Sequence, residues 1–380
     1  MLSIGERWFG AGHSTAADAS KAGTEAAVAA LAGRRAAAVF VFCSGGQDPA
    51  TVLAAVRAEA GPDAVVVGGT GLGELSGAGA TLHGVAVAAF GGAGFTVRAH
   101  AASIDELGAR AAGAEAARVM AGVDAPHRVL LLLCDGTALG PHEIVRGAYS
   151  VLGATMPLVG GLTTGAPRLF GDRALPGGVI GVAIGSDRPI GIGIAHGWRR
   201  TEPPMIVTRS VAERVYEFDG EPALDVLLRR FDVAGGAQEL FDGGMIMRPL
   251  GLSRRSGEDI RLLHNGDDGD RSVFGTTEVP QGALVWLMEG DHADLMAGTR
   301  DSVAEAIAGL GGAAPIGALA FDCGGRKLYF GEEGTAEEVG AIRAALGGAP
   351  FAGFYTVGEV ARVRGASGMH QLTLVTLALA

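Results

Sequence analysis

At 380 residues, with 48% hydrophobic and 19% charged side chains and a mean hydropathy of +0.31, the chain has ample material for packed cores and is not disordered. A formal net charge of -11 opposes binding to a phosphate backbone, so nucleic acid is not an expected partner. Apolar runs stop far short of the roughly 20 residues needed to cross a bilayer, so no membrane insertion is expected.

Met1-Leu2-Ser3-Ile4-Gly5-Glu6 lacks the charged-then-apolar pattern of a signal peptide. Three cysteines, none in a CxxC spacing, suit a reducing compartment without disulfides. The expectation is a soluble cytoplasmic protein. Lysine is confined to Lys21 and Lys327, so a Schiff-base or phosphate-binding lysine has two candidates.

In chain order, Thr15 to Leu31 reads as a helix capped by Thr15 and Asp18, and 37–42 as a short strand ending at Cys43. A helix from Pro49 to Ala60 and a strand at 64–67 lead to Gly68-Gly69-Thr70-Gly71-Leu72-Gly73-Glu74. Strands at 84–90 and 95–101 read as a hairpin across Gly91-Gly92-Ala93-Gly94. The order then restarts: a helix at 104–120, a strand at 129–133 ending at Cys134, a helix at 141–151, the run Pro157 to Thr164, and strands at 178–184 and 189–195. Cys43 and Cys134 lie 91 residues apart and Gly68 and Gly160 lie 92 apart, which points to a duplicated α-β-α-β-β-β unit.

The polar, proline-bearing segment 199–204 is the expected boundary. This gives one domain at 1–202, with copies at about 1–101 and 102–202, and a second at 203–380. Beyond the boundary come a helix at 222–230, strands of a mixed sheet at 245–250, 260–264 and 283–289, and a helix at 292–310. A third strand-turn pair follows, with Cys323 in the part of Cys43 and Cys134, a helix at 335–346, and a closing strand at 371–379. The expected fold class is α/β with mixed α+β character: two domains of mixed sheets with packed helices, the first an internal duplication.

No P-loop, nucleophile elbow or HExxH motif is present, the histidines lack metal-ligand spacing, and no cofactor is expected. The glycines of Gly10-Ala11-Gly12 and Gly69 to Gly73 lack the dinucleotide fingerprint. What stands out is Phe321-Asp322-Cys323-Gly324-Gly325-Arg326, followed by Gly353-Phe354-Tyr355-Thr356-Val357-Gly358-Glu359. Each reads as an apolar strand running into a glycine-rich turn, where a charge is costly unless paired. Two readings of Arg326 and Glu359 stand: they pair with each other, or Arg326 takes a ligand carboxylate and Glu359, or Glu74 in the first domain, an ammonium. Cys323 is either a small core hydrophobe or a thiol beside a pocket.

These segments resemble the FIST family of paired N and C sensory domains. The C-terminal resemblance lies in 220–225, 321–326 and 353–359, and the N-terminal one in Gly10-Ala11-Gly12, 68–74 and 157–161. His370-Gln371-Leu372-Thr373 departs from a family-like His-Asn-x-Thr. The resemblance implies a sensory module for a small polar ligand, an amino acid or related metabolite; the leading expectation is a non-catalytic binding protein that either signals through a separate protein or has another use. Candidate ligand-binding residues are Cys323, Arg326, Tyr355, Thr356, Glu359, Thr70, Glu74 and His370. The alternative is a thiol-dependent hydrolase or transferase using Cys323.

Overall fold

A computed structural model describes residues 5–138, 140–165, 168–201, 203–242, 246–254, 257–363 and 368–380. Met1 to Ile4, Glu202 of the expected boundary, and Met245 at the start of an expected strand lie outside the described residues. The chain opens with β1 (Trp8–Ser14), β2 (Ala38–Cys43) and β3 (Val65–Thr70), then a short hairpin, β4 (Glu74–Ser76) with β5 (Gly79–Thr81), and β6 (Val85–Gly91); β1, β2, β3 and β6 belong to the first sheet. Helices α1 (Ala19–Leu31) and α2 (Pro49–Ala60) connect its strands. Next come β7 (Phe95–Ala102), α3 (Ile104–Leu107), α4 (Ala109–Ala117), β8 (His127–Asp135), α5 (Pro141–Leu152) and β9 (Leu158–Thr163). The hairpin of β10 (Arg168–Phe170) and β11 (Arg173–Leu175) precedes β12 (Val179–Ser186) and β13 (Ile190–Ala195).

Eight strands follow, β14 to β21 (Arg199–Arg200, Met205–Val211, Arg214–Phe218, Glu221–Pro222, Ile246–Arg254, Gly257–Asp267, Ser272–Gly275, Leu284–Glu289), with α6 (Ala223–Phe231) and α7 (Ala237–Leu240) among them. The chain ends with α8 (His292–Ala308), β22 (Gly317–Cys323), α9 (Gly324–Ala345), β23 (Phe351–Thr356), the hairpin β24 (Glu359–Arg362) and β25 (Gly368–His370), and β26 (Leu374–Leu379).

One strand order recurs in three sheets: β1-β6-β2-β3, β7-β12-β8-β9 and β13-β26-β22-β23. Each has a parallel central pair joined by a helix, flanked by antiparallel strands. The short hairpins are exchanged cyclically. The β10–β11 hairpin extends the first sheet beside β3, β24–β25 extends the second beside β9, and β4–β5 extends the third beside β23. Inward-facing residues of all three sheets, including Phe40, Phe42, Leu131, Leu133, Phe321 and Phe354, meet in one shared core, while helices cover the outer faces. The Phe42 and Phe354 rings stack with centroids 4.8 Å apart, so the first and third sheets touch directly. Burying an aromatic or branched side chain there contributes roughly 1.5–3 kcal/mol.

Several sequence expectations change. The hairpin across 91–94 does not form: β6 already has β1 and β2 on its two edges, so β7 leaves for the second sheet and pairs with β12. Ile190–Ala195, expected to close the second copy, pairs with β26 in the third sheet. Segment 199–289 is not a mixed sheet. Its pairings are antiparallel, and the strands Ile246–Arg254 and Leu284–Glu289 pair to close a barrel over a separate apolar core. The helix at 104–120 breaks at Gly108, where φ is 78°. Helix α1 starts at Ala19, because Asp18 rather than Thr15 accepts the Lys21 amide. Gly10 and Gly12 lie in β1, where an added Cβ would come within 2.0 Å of the Ala30 and Ala26 carbonyl oxygens of α1. Their role is close helix–strand contact.

Candidate functional site

At the carboxyl ends of the parallel strands the three sheets form three corners with matching positions. Val85, Val179 and Leu374 stand opposite Cys43, Cys134 and Asp322, so the next residues, Ser44, Asp135 and Cys323, correspond. Cys323 therefore does not take the place of Cys43 and Cys134; Asp322 does. A one-residue offset turns a side chain to the opposite face of a strand. The hairpins are in register likewise: Leu75, Leu169 and Val360 stand opposite Gly353, Gly68 and Gly160. Their first residues, Glu74, Arg168 and Glu359, thus fill one corner position, and all three are fully buried.

The expected glycine turn at 324–326 is instead the first turn of α9, and Arg326 points back into the protein. Its Nε donates to Asp322 (2.9 Å), Nη1 to the His196 carbonyl (3.1 Å), and Nη2 to Glu338 (2.6 Å) and Thr299 (2.7 Å). Burial first, and then Glu338, hold the Asp322 carboxyl well above its ordinary range. Glu359 bonds elsewhere: it accepts from Thr356 Oγ1 (2.5 Å) and from the Thr373 amide (3.2 Å) and hydroxyl (2.8 Å). Burial lifts it to about 7 against those bonds and one from Cys323. The two charges have separate partners.

His370 stands opposite Glu359 across the β24–β25 hairpin, with Nε2 2.8 Å from the Ala361 carbonyl. Gln371, the departure from the family-like pattern, accepts the Leu262 amide at 3.0 Å and so ties this corner to the barrel. At the first corner, Thr70 meets Thr164 (3.2 Å), and Glu74 accepts from Thr81 Oγ1 (2.9 Å) and the Gly84 amide (3.1 Å).

A cleft of about 1010 Å³ opens over this first corner, between the β4–β5 hairpin and α9. Leu72, Leu82 and Leu328 line it and are 42%, 52% and 68% exposed, so the lining is open and largely apolar, with His83, Glu332 and Arg343 also in it. Lys327 lies in it, its Nζ 3.0 Å from the Leu72 carbonyl and 4.7 Å above the Tyr355 ring. Burial lowers this ammonium, opposed by Glu74. Thr335, also in the lining and 4% exposed, has no partner for its hydroxyl among the described residues. The helix that carries both is broken between them at Gly331 (φ 63°). The sequence candidates are therefore not one cluster: Glu74 and Tyr355 lie behind this cleft, Arg326 inside α9's contact with α8, and Cys323, Thr356, Glu359 and His370 at the third corner.

Compared with known families, the chain matches the FIST N domain over residues 37–221 and the FIST C domain over 223–362. It belongs to the FIST family. The resemblance read from the motifs is borne out, and FIST domains are associated with sensing in signal transduction. The FIST N–FIST C junction falls within the barrel, between Glu221 and Ala223. Among similar proteins, uncharacterized protein Rv0628c of Mycobacterium tuberculosis is 30% identical over 264 residues, covering 65% of this chain and 67% of that protein. Uncharacterized protein Mb0898c of Mycobacterium bovis is 30% identical over 252 residues, covering 64% and 62%.

In this FIST protein all three cysteines are buried. Burial pushes Cys43 and Cys134 up to about 12, and burial, then the Glu359 charge, holds Cys323 well above its ordinary value. Among the described residues no three of His, Cys, Asp and Glu are grouped to hold a metal ion, and no helix is long and apolar enough to cross a membrane. Sequence reasoning missed Thr335, Thr81 and Arg168 as site residues. The scarcity of lysine did single out Lys327.

Proposed function

We propose that this FIST protein is a non-catalytic, cytoplasmic sensory module. Its cleft between the β4–β5 hairpin and α9 takes a small ligand with an acidic head and an apolar body, such as an apolar amino acid or related organic acid. The observation that carries this reading is the placing of Lys327 in a largely apolar cleft, with the buried Thr335 hydroxyl, unpartnered among the described residues, behind the same lining. Apolar pockets of several hundred Å³ with a few placed polar groups are the usual form of small-molecule sites. A half-buried ammonium resting on backbone carbonyls gains more from a carboxylate than an exposed one would, because less water screens the pair. The thiol-dependent alternative draws no support from buried, unactivated cysteines.

The β4–β5 hairpin belongs by sequence to the first sheet and by pairing to the third, so a ligand held between it and α9 bears on both. A separate partner protein reading that change is the simplest output. The test is a thermal-shift and calorimetric screen of apolar amino acids and the corresponding carboxylic acids. A ligand at 100 times its dissociation constant stabilises the fold by about 2.7 kcal/mol. Lys327→Met should weaken the hit about tenfold or more while the protein stays folded. Unchanged affinity in Lys327→Met and in Thr335→Val would remove the cleft from consideration.

A further inference from the structure

The second corner departs from the other two in a way that points to its own ligand. Where the first and third corners hold the carboxylates of Glu74 and Glu359, the second holds the guanidinium of Arg168, which is fully buried. The carboxylates are served by matching neighbours. Glu74 accepts from Thr81, its hairpin partner, and from Gly84, just before β6; Glu359 accepts from Thr373, just before β26. At the second corner the same two positions are Leu175 and Gly178, whose side chains offer an arginine no acceptor.

Only one arm of the guanidinium is used. Nη1 lies 3.2 Å from Asp135 Oδ2 and 3.4 Å from Thr163 Oγ1. Nε and Nη2 have no partner among the described residues. These two nitrogens form the side-on fork that matches the two oxygens of a carboxylate. Leaving them unmet in a buried site is costly, and native structures rarely do so without a reason. Arg168 lines a cleft of about 550 Å³ that also takes in His100, Ser103, Gly177 and Gly178. Because Nε and Nη2 themselves carry almost no accessible surface, a ligand meets them only by displacing the lining that covers them.

We infer that this cleft is a second ligand site, distinct from the one beside Lys327, in which Arg168 Nε and Nη2 bind a small monocarboxylate in bidentate fashion. The charge at the site limits the ligand. Asp135 already balances part of Arg168, its Oδ1 being held by the Thr137 amide (2.9 Å) and hydroxyl (2.7 Å). Glu106 lines the same cleft, as do Asp172 and Arg173, which offset each other at 3.8 Å, and Asp105 lies near the Gly177 end. A single delocalised negative charge is accommodated there, and a phosphate dianion is repelled.

The test is a titration of the full chain at constant ionic strength with acetate, lactate and inorganic phosphate. It follows the Arg168 Nε–H resonance, assigned by through-bond correlation along its side chain. The expected result is a saturable shift with a carboxylate, at a dissociation constant of about 1 mM or tighter, and binding at least about tenfold weaker for phosphate. Arg168→Lys keeps the charge without the fork and should lose the carboxylate. Leu175→Glu places an internal carboxylate across the hairpin from Arg168; it should raise the melting temperature and abolish binding. Absence of a saturable shift with either carboxylate, whether or not phosphate binds, would overturn the assignment. Undiminished carboxylate binding in a folded Leu175→Glu protein would overturn it as well.

Discussion

Glu359 makes the stability of this protein depend on pH in a direction opposite to the usual surface carboxylate. The group is fully buried, and its value rises from 4.5 to about 7 because desolvation outweighs the hydrogen bonds from Thr356 and Thr373. A raised carboxyl is bound more tightly by its proton in the folded chain than in the unfolded one. Below about 4.5 it is protonated in both states and imposes no penalty; above about 7 it is charged in both, and the fold carries the whole penalty. The window of loss therefore runs from about 4.5 to 7, and the shift corresponds to about 3 kcal/mol. Glu359→Gln removes the titration while nearly preserving shape. Urea unfolding of both proteins across this range should show the parent losing about 3 kcal/mol relative to Glu359→Gln as pH rises. A stability difference that stays constant from about pH 3.5 to 8, roughly one unit beyond each end of that window, would refute the buried-carboxylate reasoning.

Other outcomes follow from the same packing. Arg326→Met strands Asp322 and Glu338 in the interior, so it should destabilise by about 3–5 kcal/mol, measured by chemical unfolding. Gly193→Ala would place a Cβ 1.8 Å from the Ser302 carbonyl oxygen, and the expected result is loss of soluble protein. Gly340 lies within α9 with open space around it, so Gly340→Ala should add about 0.5–1 kcal/mol. Thiol-labelling of the native protein should leave Cys323 unmodified until the chain unfolds, because it is 6% exposed and its thiolate is opposed by burial and by Glu359.

The parallel strand pairs and their crossover helices were legible because apolar runs of strand length alternate with helix-length segments bounded by glycine. The exchanged hairpins were not. Strands of three residues, such as Glu74–Ser76 and Arg168–Phe170, are too short to carry a period, and their partners lie in a sheet built from a distant part of the chain. Gly10 and Gly12 were seen, but a glycine that admits a helix carbonyl looks in sequence like one that admits a phosphate. Cys323 was misaligned because it shares its residue type with Cys43 and Cys134, while its strand carries the cysteine one position further along. Arg326 and Glu359 were recognised as buried charges needing partners; the partners, Glu338 and Thr373, sit on elements whose approach no local pattern encodes.

The cyclic exchange of hairpins also bears on how the chain can be divided. Cut at the FIST N–FIST C junction, the N-terminal piece would keep β4–β5 without the β23 edge it needs, and would expose the β9 edge that β24–β25 covers. The C-terminal piece would have the reciprocal defect. Bare strand edges of this kind template aggregation. Two halves produced together have complementary edges, and fragment complementation rather than independent folding is the behaviour such an interlocked ring imposes.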